Sequence, residues 1–206
     1  QLIDVRVPPP DIPVATGRRR SGRRVLTVGT DCCVGKKYTA LALVRALKAA
    51  GHAATYRATG QTGILIAGSG IPMDAVVSDF LSGAAEVLSP DAAPDHWDVI
   101  EGQGSLFHPA YAAVTLGLLH GSQPDALVLC HAAGRNAIDD YSDFAIPDLT
   151  ACITHYESAA ALTNPAARVV GISLNTQGLN RDAATQACAA VAQQTGLPCV
   201  DPMRDD

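Results

Sequence analysis

One stretch constrains this chain more than any other: Val25-Leu-Thr-Val-Gly-Thr-Asp-Cys-Cys-Val-Gly-Lys-Lys-Tyr-Thr39. Val25 to Val28 is a short apolar run rich in β-branched residues, as expected of a buried strand. Gly29 and Gly35 then break the chain, and from Lys36 onward Ala40, Leu41, Leu43, Val44 and Leu47 fall on one face of a helix. A strand feeding a glycine loop that opens a helix is an anion-binding geometry, because the first helical N–H groups lack internal partners and point at whatever precedes them. Lys36 adds a positive charge at that point. The spacing is close to the phosphate-binding pattern of Gly, four residues, Gly, Lys and Ser or Thr. It departs twice: five residues separate Gly29 from Gly35, and Lys37 stands where a magnesium-binding hydroxyl normally sits. Thr39 is too far along the helix to replace that hydroxyl simply. Gly29, Thr30, Asp31, Cys32, Cys33, Val34, Gly35, Lys36, Lys37, Tyr38 and Thr39 are therefore expected to hold phosphate, while magnesium-assisted cleavage of a nucleoside triphosphate is disfavoured.

Strand and helix patterns alternate from Arg24 onward. Strands are expected at 24–28, 53–57, 97–101, 126–131 and 168–174, with a short one near 198–200. Helices are expected near 36–50, 73–88, 109–120, 148–162 and 181–195, with Gly51 and Gly196 where C-caps belong. Such alternation gives a mostly parallel sheet covered on both faces, an α/β three-layer fold of the P-loop NTPase type. At 206 residues the chain suits one sizeable domain, and with aromatics at only 4% its core must be Ala, Val, Leu and Ile. Residues 1–22, with Pro8-Pro9-Pro10 and Pro13, read as a stiff linker from an N-terminal domain outside this chain, and 23–206 as the α/β domain. The basic run Arg18-Arg-Arg20 with Arg23 and Arg24 offers a contact for a multiply charged ligand.

A net charge of -5 argues against a nucleic-acid surface, and no stretch is long and apolar enough for a membrane span. The six cysteines show no C-x-x-C pair and read as reduced thiols of a cytoplasmic protein, with no metal site. A small-molecule substrate and a homo-oligomeric state are the expected associations.

Ligands of parallel sheets sit at the carboxyl ends of the strands. After the second strand, Ala58 to Pro72 is rich in small and hydroxyl residues around Gln61, Thr62 and Gly63 and is expected to line a ligand. Arg57 at that strand end is a candidate for holding a carboxylate. Asp74 reads as a helix cap, and Asp79, one turn in, as a candidate acid. Glu101 closes the third strand, a costly place for an unpaired carboxylate, followed by Gly102, Gln103, Gly104 and His108. Glu101, His108 and Asp79 are the candidate bases. The fourth strand ends in the densest polar cluster, His131, Arg135, Asp139, Asp140 and Tyr141, expected to meet a small polar substrate. The fifth ends at Asn175, whose amide can read a purine edge.

Gly29 to Lys36 and Glu101-Gly-Gln-Gly-Ser105 resemble the phosphate loop and glutamate-glycine loop of dethiobiotin synthetase and its P-loop relatives. A closer resemblance is to a family long known only as a domain of unknown function, some of whose members are described as D-glutamate N-acetyltransferases of the DgcN type. Ala58-Thr-Gly-Gln-Thr-Gly63, Asp79-Phe-Leu-Ser-Gly-Ala-Ala-Glu86, His108-Pro-Ala-Tyr111, Leu119-His-Gly-Ser122 and Pro124 to His131 carry it, and it extends from Arg24 to Pro202. It implies a smaller N-terminal α/β domain, whose exit Ile3-Asp-Val-Arg6 resembles. It also implies acetyl-CoA as donor and an acidic amino acid as acceptor. The expected function is thus N-acetyl transfer, with acetyl-CoA phosphates on the loop and the acceptor held by Arg57 or Arg135, among Gln61, Thr62, Gly63, Gln103 and His131. The alternatives are an ATP-dependent ligase with magnesium on Asp31 and Glu101, and a nucleotide-binding module without chemistry.

Overall fold

The computed structural model describes residues 4–204, so Gln1, Leu2, Ile3 and the last two aspartates lie outside the described residues. Strands β1 (Arg23–Gly29), β2 (Ala54–Arg57), β3 (Trp97–Ile100), β4 (Ala126–Ala132), β7 (Arg168–Asn175) and β8 (Cys199–Val200) form one sheet in the order β2-β3-β1-β4-β7-β8. Every pairing in it is parallel. Helices α1 (Lys36–Ala49), α2 (Gln61–Ala67), α3 (Leu81–Leu88), α4 (Ala112–Ser122), α5 (Leu149–Ala161) and α6 (Arg181–Thr195) connect the strands.

The two faces of β1 explain the layers. Side chains alternate along a strand, so Leu26 and Val28 point one way and Val25 the other. Leu26 and Val28 join Ile100, Leu127 and Leu129 under α3, α4 and α5, where Leu118, Leu119, Ala84 and Tyr156 close the larger core. Val25, Val99 and Val128 meet Ala40 and Val44 of α1 on the opposite face. Both faces being covered, the strands read as continuous apolar runs, which is why they are legible. Gly51 (φ +85) and Gly196 (φ +70) end α1 and α6 in the left-handed conformation. Asp148 and Asn180 cap the starts of α5 and α6.

Three expectations are corrected. The 58–72 segment is not all loop, since Gln61–Ala67 is α2. The helix expected over 73–88 is two single 3-10 turns, Met73–Ala75 and Ser78–Phe80, before α3, because Val76 and Val77 are extended. The polar cluster after β4 carries an antiparallel hairpin, β5 (Ala137–Ile138) and β6 (Tyr141–Ala145), whose turn includes Asp140 at φ +62.

The basic run is also corrected: it is structural and lies at the amino end of β1, opposite the phosphate loop. Arg20 is buried and donates to the Ser89 and Gly121 carbonyls at 2.7 Å each. Arg24 is buried and donates to the carbonyls of Arg20 and Ser21. Residues 13–22 cross α3, where Gly83 leaves room for the Pro13 carbonyl. Glu86 accepts from the N–H groups of Thr16 and Gly17 at 2.9 and 2.8 Å. Asp91 accepts from Arg18 and from the Ser21 N–H, and these bonds hold its carboxyl down to about 2. A depressed carboxyl stabilises the fold above its unfolded value and loses that contribution as pH falls through the folded one. Residues 13–22 are therefore expected to be protease-resistant at neutral pH and to become cleavable as pH drops from about 4 towards 2. Limited acid proteolysis with mass mapping reads this out, and Asp91→Asn should show the cleavage at neutral pH.

Candidate active site

Gly29 ends β1, and the Thr30 N–H still bonds to the Cys130 carbonyl of β4 at 3.0 Å. A Cβ on Gly29 would lie 2.9 Å from the Asp31 carbonyl oxygen and 3.0 Å from the Lys36 Nζ, so only glycine fits under the loop. Cys33 and Gly35, at φ +56 and +106, turn the chain back on itself. Helix α1 then begins at Lys36 with no side chain capping its N-terminus, so its first N–H groups face the loop. Lys36 is buried and reaches back to donate to the Asp31 carbonyl at 2.7 Å. Burial pushes its pKa down, so an anion in the loop would relieve an unfavourable charge.

Asp31 holds the loop to the hairpin. Its Oδ2 accepts from Arg135 Nη1 and from the Asp139 N–H, both at 2.9 Å, and its Oδ1 from the Cys32 N–H at 2.6 Å. The carboxylate is fully buried, so all of its charge is met by these donors. Tyr156 does a similar task from α5: its hydroxyl donates to the Gly29 carbonyl at 2.6 Å and accepts from the Leu106 N–H at 3.2 Å.

The tips of β3 and β7 close the site. A cleft of about 450 Å³ lies between Lys36, Lys37, Glu101, Gln103 and Asn175. A second, of about 530 Å³, continues past Tyr38 between Thr39, Ser173, Asn175 and Arg204. Glu101 lies just beyond β3 and is buried. Its Oε2 accepts from the N–H groups of Thr59 and Gly60 at 2.9 and 3.2 Å, while its Oε1 takes no hydrogen bond from any described residue. The buried Tyr56 hydroxyl lies beside Gly63, next to Glu101 Oε2. Burial, the neighbouring Glu101 charge and hydrogen bonding to that carboxylate push the phenol up, so it stays a donor. Gly63 is required there: a Cβ would lie 2.3 Å from Glu101 Oε2 and 2.6 Å from the Tyr56 oxygen.

Several proposed site residues have other partners. Arg57 is paired with Asp98 across β2 and β3 at 2.7 Å, and Arg135 with Asp31, so neither is a free guanidinium for an acceptor. Gln61 donates to Asp74 at 3.1 Å, which is how Asp74 is used instead of as a cap, and Thr62 is exposed on α2. Gln103 lines the first cleft and donates to the Thr59 hydroxyl at 3.1 Å. Asp79 is exposed in its 3-10 turn and does not line either cleft. His131 sits beside the Thr30 hydroxyl at 2.8 Å, and burial, aided by Arg135, lowers its pKa and keeps the ring neutral. His108 is buried between Tyr111 and Tyr141, and its Nδ1 accepts from the Ala110 N–H at 3.1 Å. That bond assigns the ring proton to Nε2, which makes His108 a hydrogen-bond donor rather than the expected base. Asp31, Cys32 and His108 bring a carboxylate, a thiol and an imidazole within 4.8 Å of one another, but the carboxylate is already neutralised by Arg135 and is a poor cation ligand. Sequence reasoning did not single out Tyr56, Thr59 or Tyr156; for Tyr156 the available signal was a tyrosine on the apolar face of a helix, in line with Leu149, Cys152 and Ala160.

The profile of a family described as "Domain of unknown function (DUF1611_C) P-loop domain" matches residues 13–206. The chain belongs to this family. Among known structures, this DUF1611 P-loop domain superposes on a DUF1611 family protein from Anabaena variabilis with a TM-score of 0.91 at 43% identity, over 98% of the chain and 60% of that protein. An ADP-bound nucleotide-binding protein from Archaeoglobus fulgidus shares the fold alone, with a TM-score of 0.51 at 12% identity over 86% of the chain and 79% of that protein. The domain is 52% identical over 204 residues to a D-glutamate N-acetyltransferase of Pseudoalteromonas, covering 99% of the chain. It is 50% identical over 203 residues to one of Tritonibacter scottomollicae, covering 98% of the chain. It spans 61% of the length of each of these two relatives. The expected P-loop NTPase-type fold with a parallel sheet, and the expected family, are both met.

Proposed function

We propose that this domain forms the donor site of an N-acetyltransferase that moves an acetyl group from acetyl-CoA to the amine of an acidic amino acid such as D-glutamate. The names of the two half-identical relatives support the reaction class. The donor set fits the diphosphate of CoA: open N–H groups at the start of α1, the Lys36 ammonium and a cleft on either side. The adenosine end suits the cleft between Tyr38, Thr39, Ser173 and Asn175, and the pantetheine end the cleft beside Glu101. The donor supplies an activated thioester carbonyl.

What the chain supplies is a base. An ammonium cannot attack a carbonyl until it gives up a proton, and Glu101, which lines the cleft, offers its Oε1 as the acceptor. The Thr59 and Gly60 N–H groups fix the other oxygen, so the carboxylate is oriented without being capped. The amine then attacks the thioester carbon; as the carbon–sulfur bond breaks, the nitrogen gives its second proton to the departing sulfur, leaving the N-acetyl amide and free CoA thiol.

The observation that carries this reading is the half-open Glu101 carboxylate in the same cleft as Lys36. The test incubates full-length protein with acetyl-CoA and D-glutamate and follows free thiol and N-acetyl product by mass spectrometry. Product formation that needs both substrates is expected. ADP release from ATP with magnesium, without acetyl transfer, would overturn the reading in favour of a ligase.

A further inference from the structure

We infer that the phosphate site of this domain works without a divalent cation, with the Lys37 ammonium taking the place of the metal. The inference rests on the reading of the loop as a cofactor-phosphate site, and it adds how that charge is neutralised. The fold implies magnesium: nucleotide phosphates in such loops share the metal with the hydroxyl after the loop lysine and with an acidic residue. The residues here do not fit that role. The position after Lys36 is Lys37, a cation with no lone pair to give. The nearest hydroxyl, Thr39, is already used: it is bonded to the Gly35 carbonyl at 3.0 Å, to the Ser173 hydroxyl at 2.7 Å and to the Cys130 thiol at 3.4 Å. Asp31, the carboxylate of the loop itself, is spent on Arg135, Asp139 and Cys32.

Among the described residues Glu101 is the one carboxylate lining the cleft beside Lys36 and Lys37, and one carboxylate beside two lysines is a weak magnesium site, since the cation demands near-octahedral oxygen ligation. Lys37 is well placed for the substitution. It lines the cleft with Lys36, its Nζ lies over the Tyr38 ring, 4.9 Å from the centroid, and its four-carbon stem lets the ammonium swing onto a phosphate oxygen. A diphosphate that is bound and never cleaved needs charge neutralisation only, and two ammonium groups with a helix N-terminus supply it.

The test measures binding of CoA to the full-length protein by calorimetry, in EDTA and in magnesium. Equal affinity in the two buffers, within about twofold, is expected. Lys37→Thr, which restores the hydroxyl, should weaken binding in EDTA by about tenfold or more and regain part of it on adding magnesium; Lys37→Arg should stay metal-independent. Wild-type binding that is lost in EDTA and restored by magnesium would overturn the inference while leaving the acetyl-donor site intact. So would a Lys37→Thr protein that binds CoA as tightly as wild type in EDTA. Absence of any CoA binding to folded wild-type protein would instead remove the underlying reading, and the inference with it.

Discussion

Replacing Glu101 by glutamine is expected to lower kcat for N-acetylation by about 10²- to 10⁴-fold, the range general-base removal produces, with the protein still folded. The amide oxygen of glutamine can accept from Thr59 and Gly60 as the carboxylate Oε2 does, so the loop keeps its shape. What is lost is the proton acceptor at Oε1. The melting temperature should therefore change little, and CoA affinity should stay within a few-fold of wild type, because the proposed phosphate contacts, α1 and its lysines, are untouched. Stopped assays with acetyl-CoA and D-glutamate, alongside calorimetric CoA binding, separate the two effects. A variant with wild-type turnover would remove Glu101 as the base; equal loss of binding and turnover would make it a binding residue.

The largest stability effect is expected at Asp31. Substitution by alanine strips the acceptor from Arg135, from the Asp139 N–H and from the Cys32 N–H at once. Losing one partner of a buried pair costs about 3–5 kcal/mol, and the Arg135 side chain keeps 25% of its exposure, so the lower end applies. At about 2–4 °C per kcal/mol for a chain of this size, the thermal midpoint should fall by roughly 6–12 °C. The hairpin Ala137–Ala145 should also come loose from the phosphate loop, so CoA should bind more weakly even at temperatures where the variant is folded. Scanning calorimetry and hydrogen exchange at Asp139 test the two parts. Unchanged protection at Asp139 would mean that the hairpin is held by other contacts.

The central strands β1, β3 and β4 were readable because each is a largely buried apolar run, and the helices because Gly51, Gly196 and the 3.6-residue spacing mark their ends. Helix α2 was not, since Gly60, Gln61 and Gly63 look like a flexible loop. Gly63 is there instead because Glu101 and Tyr56 leave no room for a side chain. The hairpin was missed because all of β6 is exposed and carries no hydrophobic alternation. The phosphate loop and Glu101 were legible as local patterns of type and spacing. The roles of Arg57 and Arg135 were not, because the Asp98 and Asp31 that occupy them are brought up by the fold and leave no mark in the local sequence; that of His108 was not, because only the turn after it brings the Ala110 N–H onto its ring. The arginine run misled for the same reason: its carbonyl acceptors, at Ser89 and Gly121, sit far along the chain.

The central place of β1 in the sheet bears on how the protein acquires its site. Leu26 pairs with Ile100 on one side and Leu127 on the other, so the strand that carries the loop gains its second neighbour only when the chain is complete through β4. Joining such distant segments is slow, because the entropy of closing the intervening chain is lost before any contact repays it. During synthesis the loop cysteines and the apolar β1 must therefore wait, unpaired and open to aggregation, until Ala132 has emerged. A chain released before that point would hold the whole phosphate-binding motif in its sequence and yet have no scaffold on which to shape it.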